Sequence, residues 1–174
     1  MPDYRRNRVM GGTYFFTVNL LERRTNLLVE HIQLLRSVVK TVQTSKPFHI
    51  DAWVVLPDHM HCVWTLPNHD DDYPARWKAI KTAFSRAIPK TERLSAVRKA
   101  NNERGIWQRR YWEHTIRNDK DYAAHVDYCH INPVKHGLVK QVKDWPYSTF
   151  HQLVEQGVYH ENWGGFDEDG TFGE

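Results

Sequence analysis

The chain is poor in cysteine, and no long apolar run or low-complexity tract occurs in it. Two cysteines in 174 residues, Cys62 and Cys129, have neither the number nor the spacing of a disulfide framework or a zinc knuckle, so reduced core thiols are expected. No stretch approaches the roughly 18 uncharged apolar residues of a membrane span. Arg5, Arg6 and Arg8 lead into mixed polar sequence rather than the apolar core of a signal peptide. These absences predict no membrane association and a cytoplasmic location. No internal repeat and no Gly-rich phosphate loop is present. What remains, 40% apolar, 26% charged and 13% aromatic side chains, is the balance of a soluble globular domain. A chain of this size buries about two-thirds of its unfolded surface without staples. One domain over residues 1–160, followed by an acidic tail over 161–174, is the expected organisation.

The formal charge is only +3, but it is segregated. Residues 1–50 carry eight basic and three acidic side chains; 51–75 carry no basic and five acidic ones. Residues 76–145 carry sixteen basic and seven acidic groups, and 146–174 carry six acidic groups alone. Lysines and arginines gathered on one face gain affinity for a polyanion by releasing phosphate counterions.

Periodicity predicts the elements. TYFFTVNL (13–20), after the Gly11-Gly12 turn signal, reads as a strand. Apolar residues from 30 to 43 recur at helical spacing. HIDAWVVLP (49–57) and HMHCVWTLP (59–67) flank a tight Pro57-Asp58 turn, the pattern of a hairpin. Residues 75–88 predict a second helix, 89–105 a polar loop or mobile insertion, and 106–117 a fourth strand. A third helix runs from a cap at Asn118 or Asp119 to about Ile131 and ends at Asn132-Pro133. This order predicts an α+β, ferredoxin-like split βαβ fold, with helices packed on a central antiparallel sheet.

His59 and His61 alternate onto one face of their strand, about 7 Å apart by twice the strand rise, with Met60 and Cys62 on the other. The residues alone leave two readings open, a pair of metal ligands or two histidines at a half-exposed strand end. On the third helix, Tyr122, Val126 and Cys129 form an apolar stripe, and Asp121, His125, Tyr128 and Asn132 an adjoining polar one.

Taken together, the blocks YRRNRVMGGTYFFTVNLLERR, AWVVLPDHMHCVWTLP, GIWQRRYWEHTIRNDKDYAAHVDYCHINPVKHGLV and DWPYSTF resemble the REP-associated tyrosine transposases, relatives of the single-tyrosine HUH transposases. The resemblance spans roughly residues 3–160. It implies an HUH endonuclease-like domain with its motif on His59, Met60 and His61. It places the nucleophile on Tyr128 and a third metal ligand on Asn132. A divalent ion, Mg²⁺ or Mn²⁺, would polarise the phosphate, and His125 is a candidate proton relay for the tyrosine. The implied reaction is single-strand DNA cleavage and strand transfer at REP-type hairpins through a 5′-phosphotyrosine, by a nucleoid-associated enzyme acting as a monomer or a dimer.

Candidate DNA contacts are Arg5, Arg6, Arg8, Gly12, Thr13, Arg23, Arg24, Lys78, Lys81, Arg109, Arg110 and Lys135. Each alone also reads as solvated surface. Tyr14, Trp107, Tyr111 and Trp112 are candidates to stack unpaired bases. The 89–105 insertion is a candidate DNA-binding flap, and the acidic tail a candidate autoinhibitory mimic of DNA. Two other classes remain: a hairpin-binding protein that does not cut, and a metal-dependent hydrolase of small phosphates.

Overall fold

The computed structural model describes residues 6–164. Arg5 and most of the acidic tail lie outside the described residues. Strand β1 (Thr13–Asn19) is followed by a short helix α1 (Leu27–Glu30) and the longer α2 (Ile32–Ser45). The hairpin β2 (His49–Val55) and β3 (His59–Thr65) comes next, then α3 (Tyr73–Ala87). A short helix α4 (Ala96–Ala100), strand β4 (Trp112–Thr115), α5 (Asp119–Lys135) and α6 (Phe150–Glu155) complete the chain. The strands form one antiparallel sheet in the order β2-β3-β1-β4. That is the split βαβ arrangement expected from the element order, with both crossover connections on one face.

Strand alternation sorts the side chains. Tyr14, Phe16, Val18, Met60, Cys62 and Trp64 face α2 and α3, where they meet Leu35, Trp77, Ile80 and Phe84 in the larger core. Trp64 stacks on Trp77 with ring centroids 4.2 Å apart. Phe15, Ala52, Val54 and Val63 face the other way and pack against Val126 and Cys129 of α5. Both cysteines are free and buried, one on each side of the sheet. No helix among the described residues is long and apolar enough to cross a membrane.

Three expectations are corrected. Strand four is much shorter than 106–117. Trp107 forms only an isolated bridge with Leu20, and its indole turns into the core, donating to the Lys81 carbonyl; pairing resumes at Trp112. The 89–105 segment is not a structureless loop. Ser95 caps α4, and the partly buried Arg104 guanidinium ties Glu92 to the carbonyls of Ser85 and Pro89. Finally, α5 does not stop at Asn132-Pro133 but continues to Lys135 with Pro133 inside it. A proline in the helix body removes the hydrogen bond to the carbonyl four residues back and crowds that carbonyl with its ring, at a cost of about 3 kcal/mol. Asn132 and Pro133 are buried and their carbonyls accept from His136 and Leu138, so packing and the closing turn outweigh that loss.

Candidate active site

The extra turn of α5 builds the site. With Asn132 still in helical register, it lies one turn beyond Tyr128 on the same face, and that face looks onto β3. His59 and His61 are 5% and 3% exposed. Their rings lean together, with centroids 5.0 Å apart. Each is pinned through Nδ1, His59 by the Asp58 carboxylate at 2.6 Å and His61 by the Thr17 hydroxyl at 2.8 Å. This is the support by which metal-ligating histidines are oriented, leaving Nε2 for the ligand. Burial pushes the His61 imidazolium well below its usual pKa, and the neighbouring His59 and His136 push it the same way. Burial also lowers His59, against the pull of Asp58. Burial thus favours the neutral form of both rings, the form that binds metals.

Asn132 has no solvent exposure, and neither its Oδ1 nor its Nδ2 has a hydrogen-bond partner; the Nε2 of His61 is also buried and unpartnered. Leaving a buried polar atom unpaired costs about 1–3 kcal/mol. Orphaned donors and acceptors gathered on one spot fit a divalent cation held by His59, His61 and the Asn132 carbonyl oxygen. Tyr128 is half-buried beside them, edge-on to His61 at 5.2 Å and to Phe15 at 5.7 Å between ring centroids. A cavity of about 340 Å³ opens over His59, His61 and Tyr128, lined also by Phe15, Thr17, Asn19, Arg23 and Trp112, while Asn132 lies buried behind it and does not line it.

His136 completes the lining and was missed in the sequence. Its ring lies 5.1 Å from that of His59. The spacing 128, 132, 136 would have found it, had the helix not been expected to end at the proline. His125 is held elsewhere: its Nδ1 lies on the Asp121 carbonyl at 2.8 Å and its ring stacks on His114, while Phe15 touches both it and Tyr128.

The basic residues separate into two groups. Arg23, bonded to Asp58 and Asn19, borders the tyrosine cavity, and Lys135 places Nζ 5.1 Å from the centroid of the Tyr128 ring. On the opposite face, Arg6, Lys78, Lys81 and Arg109 line a larger cavity of about 630 Å³ together with Tyr111. Arg6 lies 4.0 Å over the Tyr111 ring and bonds Glu113, while Lys81 donates to the Gln108 carbonyl. Burial lowers the Lys81 pKa to about 8. Arg8 pairs with Asp71, Arg24 and Arg110 are exposed, and the Thr13 hydroxyl bonds that of Thr65. Gly12 sits where the chain closes on Tyr14, and both Tyr14 and Trp107 are core residues rather than exposed stacking platforms. Trp112, by contrast, is 60% exposed beside the tyrosine cavity.

The model of the family described as "Transposase IS200 like" matches residues 10–131. A REP-associated tyrosine transposase of Escherichia coli (strain K12) is 52% identical over all of this chain and 98% of that protein. A relative from Haemophilus influenzae, described as a putative REP-associated tyrosine transposase, is 48% identical over 95% of this chain and 94% of its own. A solved structure of a REP-associated tyrosine transposase bound to a REP hairpin superimposes with a TM-score of 0.84. It is 52% identical and covers 100% of this chain and 98% of that one. The family model, the superposition and the likeness over the full length thus agree, and the chain belongs to the IS200-like family of tyrosine transposases, enzymes that cleave DNA and transfer its strands.

Proposed function

We propose that this protein cleaves and rejoins single-stranded DNA next to REP-type hairpins, with Tyr128 as nucleophile and His59, His61 and Asn132 as the ligands of a divalent cation. The observation that carries this reading is the convergence of Tyr128 on two buried, pinned imidazoles and a buried carboxamide without hydrogen-bond partners. The relative bound to a REP hairpin supports the substrate class. A cation held there, Mg²⁺ or Mn²⁺, supplies charge stabilisation for the phosphate in the transition state. Nitrogen-rich ligation favours Mn²⁺ over Mg²⁺ in affinity.

The Tyr128 oxygen forms a bond to phosphorus as the bond from phosphorus to the 3′ oxygen breaks, giving a 5′-phosphotyrosyl strand and a free 3′-hydroxyl. The phenolic proton leaves as the oxygen attacks, and the departing oxygen gains one. Attack by another 3′-hydroxyl reverses the step and joins strands without a nucleotide cofactor. Asp58 and Thr17 fix the imidazoles, and Phe15 holds the tyrosine ring by edge contact. Consecutive residues Tyr111 and Trp112 line the cavities on opposite faces of the sheet at its β4 edge. A strand passing over that edge would run from the basic cavity to the tyrosine, with Arg6, Lys78, Lys81 and Arg109 on its backbone. On this reading the enzyme would work where its DNA lies, at the nucleoid in the cytoplasm.

The test is incubation of labelled hairpin DNA bearing single-stranded flanks with Mn²⁺ and either wild type or Tyr128→Phe, followed by denaturing electrophoresis. A covalent adduct in wild type alone is expected, with hairpin binding nearly unchanged in the variant. Retarded native complexes with no adduct from wild type would instead indicate a recognition protein, and cleavage that persists in Tyr128→Phe would indicate attack by water.

A further inference from the structure

A second group of cation-ligand side chains lies outside the catalytic cavity. His114 comes from β4; Asp121 and His125 come from the first two turns of α5. One donor atom from each lies within 4.8 Å of the others. His114 Nε2 is 2.8 Å from Asp121 Oδ2, and His125 Nδ1 is 3.1 Å from Asp121 Oδ1. The two rings lie almost parallel, 4.5 Å apart between centroids. All three side chains are partly exposed, at 26%, 19% and 22%, so an ion with its remaining water can enter.

The placement follows from the local sequence. Asp121 and His125, four residues apart, share a helical face. The cap of α5 fixes the carboxylate: Asn118 accepts from the Asp121 N–H, and Asp121 accepts from the Arg117 N–H, which turns it back toward β4. A short connection then sets His114 against it. The His125 proton now directed at the Asp121 carbonyl and carboxylate would move to Nε2, a change of tautomer that frees Nδ1 without altering the charge of the ring.

We propose that His114, Asp121 and His125 form a second metal site, for a borderline transition-metal ion of the Zn²⁺ class, that clips β4 to the helix carrying Tyr128. Two imidazoles and one carboxylate are a donor set that such ions take with water in the fourth position, at bond lengths of about 2.0–2.2 Å. The site shares no ligand with His59, His61 and Asn132, although the Phe15 ring contacts both His61 and His125. It therefore does not rest on the assignment of the catalytic ligands.

Calorimetric titration with Zn²⁺ alone, on the full chain without DNA, tests it. The His59→Ala/His61→Ala variant is expected to retain one equivalent and to melt at a higher temperature with Zn²⁺ than without. Adding His114→Gln and His125→Gln should remove both effects, while either single Gln substitution, milder for folding, should weaken binding at least about tenfold. If the catalytic site takes no Zn²⁺, wild type binds one equivalent that His59→Ala/His61→Ala leaves in place, and the second site still stands. Absence of Zn²⁺ binding by the His59→Ala/His61→Ala variant, or binding indifferent to His114→Gln and His125→Gln, overturns the inference.

Discussion

At the scale of single residues, the proposed chemistry depends on groups that support the reacting side chains. Asp58 accepts from His59 Nδ1 and from Arg23; burial works against its charge, yet these two partners hold its carboxyl below the ordinary range. It stays ionised and keeps the His59 ring oriented. Asp58→Asn should weaken Mn²⁺ binding at the catalytic site about 10- to 100-fold, as loss of such a support does elsewhere. Titration of the variant checks this, and an unchanged affinity would remove His59 from the ligand set. Gly12 matters for a different reason. A Cβ there would stand 2.8 Å from the Val9 carbonyl oxygen and 2.9 Å from the Tyr14 hydroxyl, which itself donates to that carbonyl. Gly12→Ala must displace backbone, at a cost of about 1–3 kcal/mol by the usual overpacking penalty, measurable by urea denaturation.

Among the elements, α5 carries the most. Its cap is Asn118, its apolar stripe of Val126 and Cys129 seats it on β2 and β3, and its final turn, which contains Pro133, presents Asn132 and leads into His136 at its C-cap. A helix ending where the Asn-Pro pair suggests would have placed Asn132 outside the helical register of Tyr128. The 89–105 segment shows the converse, polar sequence that is nonetheless held by the capped α4 and by one central side chain. Arg104 joins Glu92 to the end of α3 and borders the basic cavity. Arg104→Ala should leave the sheet intact while limited proteolysis cuts between residues 89 and 105 several-fold faster than in wild type. Equal cutting rates would show that α4 and its cap suffice to hold the segment.

For the whole molecule, the pairing of α2 and α3 over one sheet face is locked at its end by a buried arginine. Arg76, 3% exposed, donates to the carbonyls of Lys46, Pro47 and Asp72 and to both oxygens of Asp70. This guanidinium holds the Asp70 carboxyl at about 2, below its ordinary 3.8. A carboxyl depressed by folding stabilises the native state above its unfolded pKa, and that contribution fades as pH falls through the folded value. The stability difference between wild type and Asp70→Asn should therefore be full at pH 5 and shrink between about pH 4 and pH 2. A difference that stays constant over that window would show that the pair does not couple to folding. Asp70 is a third exposed, so solvent screening keeps the effect modest.

The sequence by itself determined the strands of the hairpin, the amphipathic helices, the α+β order and the two histidines on one strand face, because those depend on period and on turn chemistry within a few residues. It also carried the likeness that pointed to Tyr128 and Asn132. Tertiary structure decided what neighbours could not. The helix ran through Pro133 because burial of that turn outweighs the cost of the proline, and this brought His136 to the site. The fourth strand broke because the Trp107 indole reaches a core partner on α3. Tyr14 went inward while Trp112 stayed out, since which aromatic is covered depends on the helices laid across each face. His114, Asp121 and His125 met only when a cap fixed a carboxylate against a strand edge, a convergence that no spacing along one element encodes.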